Sequence, residues 1–146
     1  MTSDSDVLSY FLYRSFAVDS LDSGGIGDIL GVARARNDLL GLTGLLHCED
    51  GMFFQWLEGT EHALRAIVAS ICADPRHRDI VVLGHGPLKT RYFRGWAMRL
   101  TGARDHSIVD WLASRNVSIR DERVYGREIL HFMQEISGQM AVQVEG

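Results

Sequence analysis

The chain has almost no cysteine, almost no proline, no excess of positive charge and no apolar run long enough to span a bilayer. Each shortage excludes something. Two cysteines in 146 residues, with no second Cys or His at zinc-finger spacing, rule out a disulfide framework or a zinc module. Reduced thiols in a cytoplasmic setting are the expectation. A net charge of -4 argues against a nucleic-acid or anionic-membrane surface, so neither direct nucleic-acid binding nor membrane association is expected. The acidic start from Met1 to Asp6 is not a signal peptide. What is present is ordinary for a folded protein, 46% hydrophobic and 23% charged, in a length that buries roughly 70% of the unfolded surface around its own core.

Hydrophobic patterning places the elements. Val7 to Tyr13 is a strand that is apolar and aromatic on both faces, Ser9, Phe11 and Tyr13 against Leu8, Tyr10 and Leu12, and therefore a central one. After a loop through Asp19 and Ser20, a helix capped by Asp22 or Ser23 carries Ile26, Ile29, Leu30 and Ala33 at helical spacing to about Asn37. Leu42 to Cys48 and Met52 to Glu58 are strands joined by Glu49-Asp50-Gly51, whose Asp-Gly pair is a strong hairpin signal. Thr60 caps a second helix with Leu64, Ile67, Val68, Ile71 and Cys72 inward, and Asp74-Pro75 ends it. Ile80 to Leu83 begins a fourth strand and Phe93 to Leu100 forms a fifth; short helices over His106–Ala113 and Val124 to about Ile136 follow. The expected fold is α+β: a ferredoxin-like βαββαβ mixed five-stranded sheet, two helices on one face and a C-terminal helical pair on the other. Residues 1–102 form the main domain and 103–146 an extension packed on the sheet.

Gln55 is the telling residue. It lies in Gly51-Met52-Phe53-Phe54-Gln55-Trp56-Leu57-Glu58-Gly59, where both strand faces call for burial, and an unpaired buried amide costs roughly 1–3 kcal/mol. Something polar must face it. Tyr13 and Asn37 also fall on buried faces, though a lone tyrosine at a strand end is ordinarily core and an asparagine near a helix end ordinarily a cap. Trp96, with Met98 two residues on, can equally be plain core. Adjacent first and third strands would bring Tyr13 and Gln55 together below the helices. A flat heteroaromatic ligand such as flavin could then be read by Asn37 and Gln55, with Ile and Val side chains on its faces.

Five ordered segments carry a resemblance. They are Tyr13-Arg14-Ser15; Asn37 with Gly41-Leu42-Thr43-Gly44-Leu45-Leu46; Phe54-Gln55-Trp56-Leu57-Glu58-Gly59; Asp74-Pro75-Arg76-His77; and Arg91-Tyr92-Phe93-Arg94-Gly95-Trp96-Ala97-Met98. In this order and spacing, from about Val7 to Leu100, the chain resembles the BLUF family of blue-light sensors using FAD. The resemblance implies FAD held non-covalently between two crossover helices. Tyr13 would be the electron and proton donor, Gln55 the switching amide, and Asn37 the residue bonded to the carbonyl and imide edge of the ring. Ile29, Ala33, Arg36, Asp74, Arg76 and His77 would lie along the ring or its ribityl chain, with Trp96 and Met98 on the fifth strand as relay. The Gln55 amide, with one donor and one acceptor end, could rotate or tautomerise; both remain open. Where the family commonly has a serine four residues before the asparagine, this chain has Ala33, which alters the local hydrogen-bond network. Arg36 can stack on the ring, reach a phosphate or point to solvent.

The leading expectation is a photoreceptor, not an enzyme, that signals to a downstream protein and associates with copies of itself. About 45 residues follow Leu100, too few for a cyclase or phosphodiesterase domain. The output face is expected under Ile129, Phe132 and Met133, moved by Trp96 or Met98. The competing readings are a flavin-dependent or haem redox sensor using Cys48 or Cys72, and a small flavin-binding oxidoreductase. For an enzyme the sequence offers little: no Ser-His-Asp or paired-carboxylate arrangement, and His47, His62, His85, His106 and His131 scattered as rim or solvent residues.

Overall fold

Strand alternation sorts the apolar residues into two cores separated by a sheet. The computed structural model describes the backbone of residues 7–18, 23–95, 97–117 and 122–145, and the side chains of all of these but 23, 24, 122 and 139–145. Asp19, Ser20, Asp22, Trp96 and the acidic start fall outside the described residues. In chain order the elements are β1 (Leu8–Ala17), α1 (Ser23–Leu40), β2 (Thr43–Glu49), β3 (Met52–Thr60), α2 (Glu61–Ala73), β4 (His77–Pro87), β5 (Arg99–Gly102), α3 (Ile108–Ser114) and α4 (Glu122–Glu145). The sheet order is β4-β1-β3-β2-β5, which makes β1 interior, as its two apolar faces require.

Phe11, Tyr13, Phe53 and Leu57 face α1 and α2, where Leu30, Leu64, Ile67 and Ile71 close the first core. Leu12, Leu45, Phe54 and Trp56 point the other way, into a second core completed by Ile108 of α3 and Ile129, Phe132, Met133 and Ile136 of α4. This is the expected ferredoxin-like α+β arrangement. β2 and β3 meet through Asp50 and Gly51, both at positive φ (52° and 75°), the turn that matches the twist of a two-residue hairpin. Glu49 therefore pairs with Met52 and Leu46 with Gln55. Thr60 caps α2 by accepting from the Ala63 amide at 3.2 Å, and Asp74 closes its C-terminus. Among the described residues no helix is long and apolar enough to cross a membrane.

Four expectations need correcting. β1 extends past Tyr13 to Ala17, because Ser15 and Phe16 still pair with Phe53 and Met52. Cys72 is exposed, since about 100° per residue turns it off the stripe that buries Ile71. The fifth strand is Arg99–Gly102, parallel to β2, rather than Phe93–Leu100. The backbone of the preceding segment goes to side chains instead of a ladder: the Tyr92 and Phe93 amides donate to the Glu58 carboxylate, and Gly95 turns the chain at φ 79°. Met98 accordingly precedes β5 and packs on the α1/α2 side, not beneath the C-terminal helices.

His47 is the fourth correction. Expected at the rim, it is fully buried on β2, with Nε2 donating to Glu49 Oε1 at 2.9 Å and Nδ1 paired with Thr101 Oγ1 at 2.8 Å. Glu49 also accepts from the Ile108 amide (2.7 Å), the Val109 amide and the Ser107 hydroxyl (both 3.0 Å). A carboxylate from the sheet thus caps α3. Burial lowers the His47 pKa, against the hydrogen bond and charge of Glu49, while His106 lowers it further and Asp105 raises it. For Glu49, burial raises the pKa, but the bonds from His47, Val109, Ile108 and Ser107 outweigh it and the net shift is downward. Both groups bind protons less readily folded than unfolded, so their stabilisation is complete above the ordinary histidine pKa of about 6.5 and is lost as pH falls. The melting temperature should fall as pH drops from about 7 to about 5, and less steeply in His47→Leu. Equal slopes in the two proteins would contradict this assignment.

Candidate functional site

Tyr13 and Gln55 are direct partners in the β1–β3 ladder, their side chains on the face below α1 and α2. Antiparallel partners of this kind have Cβ atoms about 5 Å apart, close enough for two polar groups to meet. The Tyr13 hydroxyl donates to Gln55 Oε1, and Gln55 Nε2 reaches Met98 Sδ at 3.7 Å. Both residues are buried. Burial pushes the Tyr13 pKa well above its usual value, so the phenol keeps its proton at neutral pH. The amide that the strand pattern demanded a partner for has one, at its carbonyl end; its amino end reaches, among the described residues, a soft sulfur.

Above this pair lies a narrow cleft between the two helices. Ile29, Val32, Ala33 and Arg36 of α1 form one wall, Ile71, Asp74, Arg76 and His77 the other, and Tyr13, Leu46, Phe53 and Gln55 the floor. Of the site residues expected from sequence, Tyr13, Ile29, Ala33, Arg36, Gln55, Asp74, Arg76 and His77 are all brought together here. The rim is polar. Arg76 makes a forked contact with Asp74 (Nε–Oδ1 3.0 Å, Nη2–Oδ2 2.7 Å), and this hydrogen bond holds the Asp74 carboxyl below its ordinary pKa. His77 is fixed at both nitrogens, Nε2 donating to the Ile71 carbonyl and Nδ1 pairing with Ser15 Oγ, each at 2.7 Å. Arg36 Nε is buried with no hydrogen-bond partner among the described residues.

Asn37 stands apart from the cleft lining. Fully buried in the last turn of α1, it donates from Nδ2 to the Ala97 carbonyl at 2.6 Å, while its Oδ1 has no partner among the described residues. One turn earlier Arg34 Nε donates to the Met98 carbonyl at 3.0 Å, so α1 grips the segment entering β5 at two successive carbonyls. Sequence reasoning missed Arg34, as well as Leu46 and Phe53 on the floor. Alternation could have found Phe53, which shares a face with Gln55; Arg34 looked like any solvated helix residue. Trp96 lies outside the described residues.

A BLUF family model, described as sensors of blue-light using FAD, matches residues 8–99, well over half of the chain. The chain belongs to the BLUF family. It is 35% identical over 89 residues to photoactivated adenylate cyclase subunit alpha of Euglena gracilis, an alignment covering 61% of this chain but only 9% of that protein. It is 35% identical over 106 residues to the blue light- and temperature-regulated antirepressor BluF of Escherichia coli, covering 73% of this chain and 26% of that one. The chain therefore spans a small part of these curated relatives' length. A solved structure much closer in extent is BlrB, a BLUF protein in its dark state, with a TM-score of 0.71 and 29% identity over 86% of this chain and 96% of BlrB.

The BLUF cleft of this chain suits a flavin on its own chemistry. Branched aliphatic side chains from α1 and α2 provide flat apolar walls, and the buried Arg36 Nε, which has no partner among the described residues, is a polar atom of the kind a ligand's heteroatoms satisfy. Of the two thiols, Cys48 is half-buried on β2 and its pKa is pushed up to about 12 by burial, whereas Cys72 is exposed. At about pH 8 an alkylating reagent should add rapidly to Cys72 and slowly to Cys48, giving a single early adduct by mass. Equal rates would reopen a thiol-based sensor.

Proposed function

We propose that this BLUF protein is a blue-light photoreceptor that binds FAD in the cleft and switches through Tyr13 and Gln55. The direct bond between the phenol and the amide carbonyl carries the reading. Flavin, when bound, supplies a blue-absorbing ring whose excited state accepts an electron from a neighbouring phenol. The Tyr13 hydroxyl is poised to release its proton along the bond to Gln55 Oε1 as the electron leaves. Once the electron and the proton have returned to Tyr13, Gln55 can be left with its two ends exchanged. With Nε2 turned to the phenol oxygen as donor, Oε1 faces Met98 Sδ, where no proton is available to bond it, and the Nε2–Met98 contact is lost. Met98 thereby reads the state of the amide.

Arg36 Nε and Asn37 Oδ1, both buried without a partner among the described residues, are the donor and acceptor we assign to the ligand's tail and polar edge, with Arg76, held by Asp74, and His77 at the rim. Ala33 leaves that part of the wall without a hydroxyl. We read residues 1–102 as the flavin-binding domain and 103–146 as a helical extension through which the signal passes to a separate partner protein. Relatives whose names pair photoactivation with an adenylate cyclase, or blue-light regulation with an antirepressor, support output to another protein or domain. Exposed Val81 and Val82 on edge strand β4 support self-association, and the unpaired thiols fit a cytoplasmic setting.

Gln55→Leu removes both amide ends at similar volume. Purified Gln55→Leu should be yellow with bound flavin but show none of the red shift that blue light induces in the parent protein. Tyr13→Phe should behave likewise, by deletion of the proton. A reversible shift of parental size in either variant would refute the switch assignment.

A further inference from the structure

The buried His47 lies on the opposite sheet face from Gln55 and no flavin chemistry calls for it. One imidazole nevertheless links four elements. It sits in β2, bonds Thr101 of β5 and, through Glu49, the first turn of α3, and packs edge-on against Phe132 of α4 at 5.1 Å between ring centroids. Glu49 can only accept when ionised, so the proton of the imidazole is on Nε2, and Nδ1 accepts from the Thr101 hydroxyl. Both nitrogens are thus committed, and the ring packs against Phe132 and, at 6.3 Å, Phe54.

Thr101 is three residues from Met98, along backbone that enters the parallel ladder with β2 at Arg99 opposite Leu45 and places Thr101 opposite His47. Upstream, the segment is held to α1 at the Ala97 and Met98 carbonyls and to Gln55 at the Met98 sulfur. Downstream, on the far face of the sheet, Thr101 bonds His47. We propose that His47 is a positioning residue that converts movement of the Met98–Thr101 segment into loss of the Glu49 cap on α3. The proposal rests on Gln55 being the light-driven switch. When the Gln55–Met98 contact goes, Thr101 shifts against β2, His47 follows its hydroxyl, and the Glu49 oxygens leave the Ile108 and Val109 amides. The signal thereby crosses the sheet without passing through its apolar core.

Hydrogen exchange on the full-length flavin-loaded protein, in darkness and under blue light, tests this beside the flavin absorption spectrum. In the parent protein the Ile108 and Val109 amides should exchange roughly fivefold faster in light, the effect of one net hydrogen bond. Thr101→Val keeps the shape but removes the hydroxyl, and His47→Leu removes the imidazole. Both should retain the flavin red shift and lose the light-dependent exchange at α3; Thr101→Ser should restore it. An α3 light response that persists in Thr101→Val, or a parent protein with a red shift and no response at α3, overturns the proposal while leaving the photoreceptor reading intact. A parent protein with bound flavin and no red shift overturns both.

Discussion

The hydrogen bond between Tyr13 and Gln55 is the constraint around which the rest is arranged. A tyrosine and a glutamine side by side in the middle of a sheet are tolerable only because they satisfy each other, and they meet because the ladder sets them opposite one another. The hairpin at Asp50-Gly51 fixes that register for β2 and β3, and the apolar face of each strand forbids a one-residue slip. The bond is also unbalanced. Its carbonyl end accepts from the phenol and its amino end reaches, among the described residues, the Met98 sulfur, so exchanging the two ends would change the contacts of Tyr13 and of Met98 together.

The sheet separates two cores. On the helix-covered side, branched aliphatic residues and a few committed polar groups shape a slot for a flat ligand. On the other side, α3 and α4 lie on a continuous core of Leu12, Leu45, Phe54 and Trp56. Two buried carboxylates manage the crossing. Glu58 accepts from Trp56 Nε1 and Thr43 Oγ1, each at 2.8 Å, and from the Tyr92 and Phe93 amides, holding the start of the segment that leads to Met98. Glu49 holds the start of α3. Each is costly to bury alone and each is surrounded by donors, so each specifies one geometry for the chain it grips.

Alternation and turn chemistry made most of the fold legible, because they are local. The two faces of β1 and β3, the Asp-Gly hairpin, the Thr60 cap and the inward stripe of α2 all follow from spacing. Tyr13 and Gln55 were legible for the same reason: a polar residue where the pattern requires an apolar one asks for a partner. What was not legible depends on distant pairing. Phe93 to Leu100 has the composition of a strand, but Glu58, Arg34 and Asn37 compete for its backbone from elsewhere in the chain. His47 looked like a rim residue because Thr101, 54 positions away, is what makes its burial affordable. Asn37 was expected to face a ligand with both ends of its amide, and its Nδ2 is instead bound to the Ala97 carbonyl.

The light-minus-dark infrared difference spectrum of the flavin-loaded protein addresses the central claim most directly, because it reports the ligand carbonyl and the phenol together. The account predicts a shift of the flavin carbonyl stretch on illumination, accompanied by a tyrosine band that disappears in Tyr13→Phe. A carbonyl shift with no tyrosine contribution would mean that the Tyr13–Gln55 bond is a bystander.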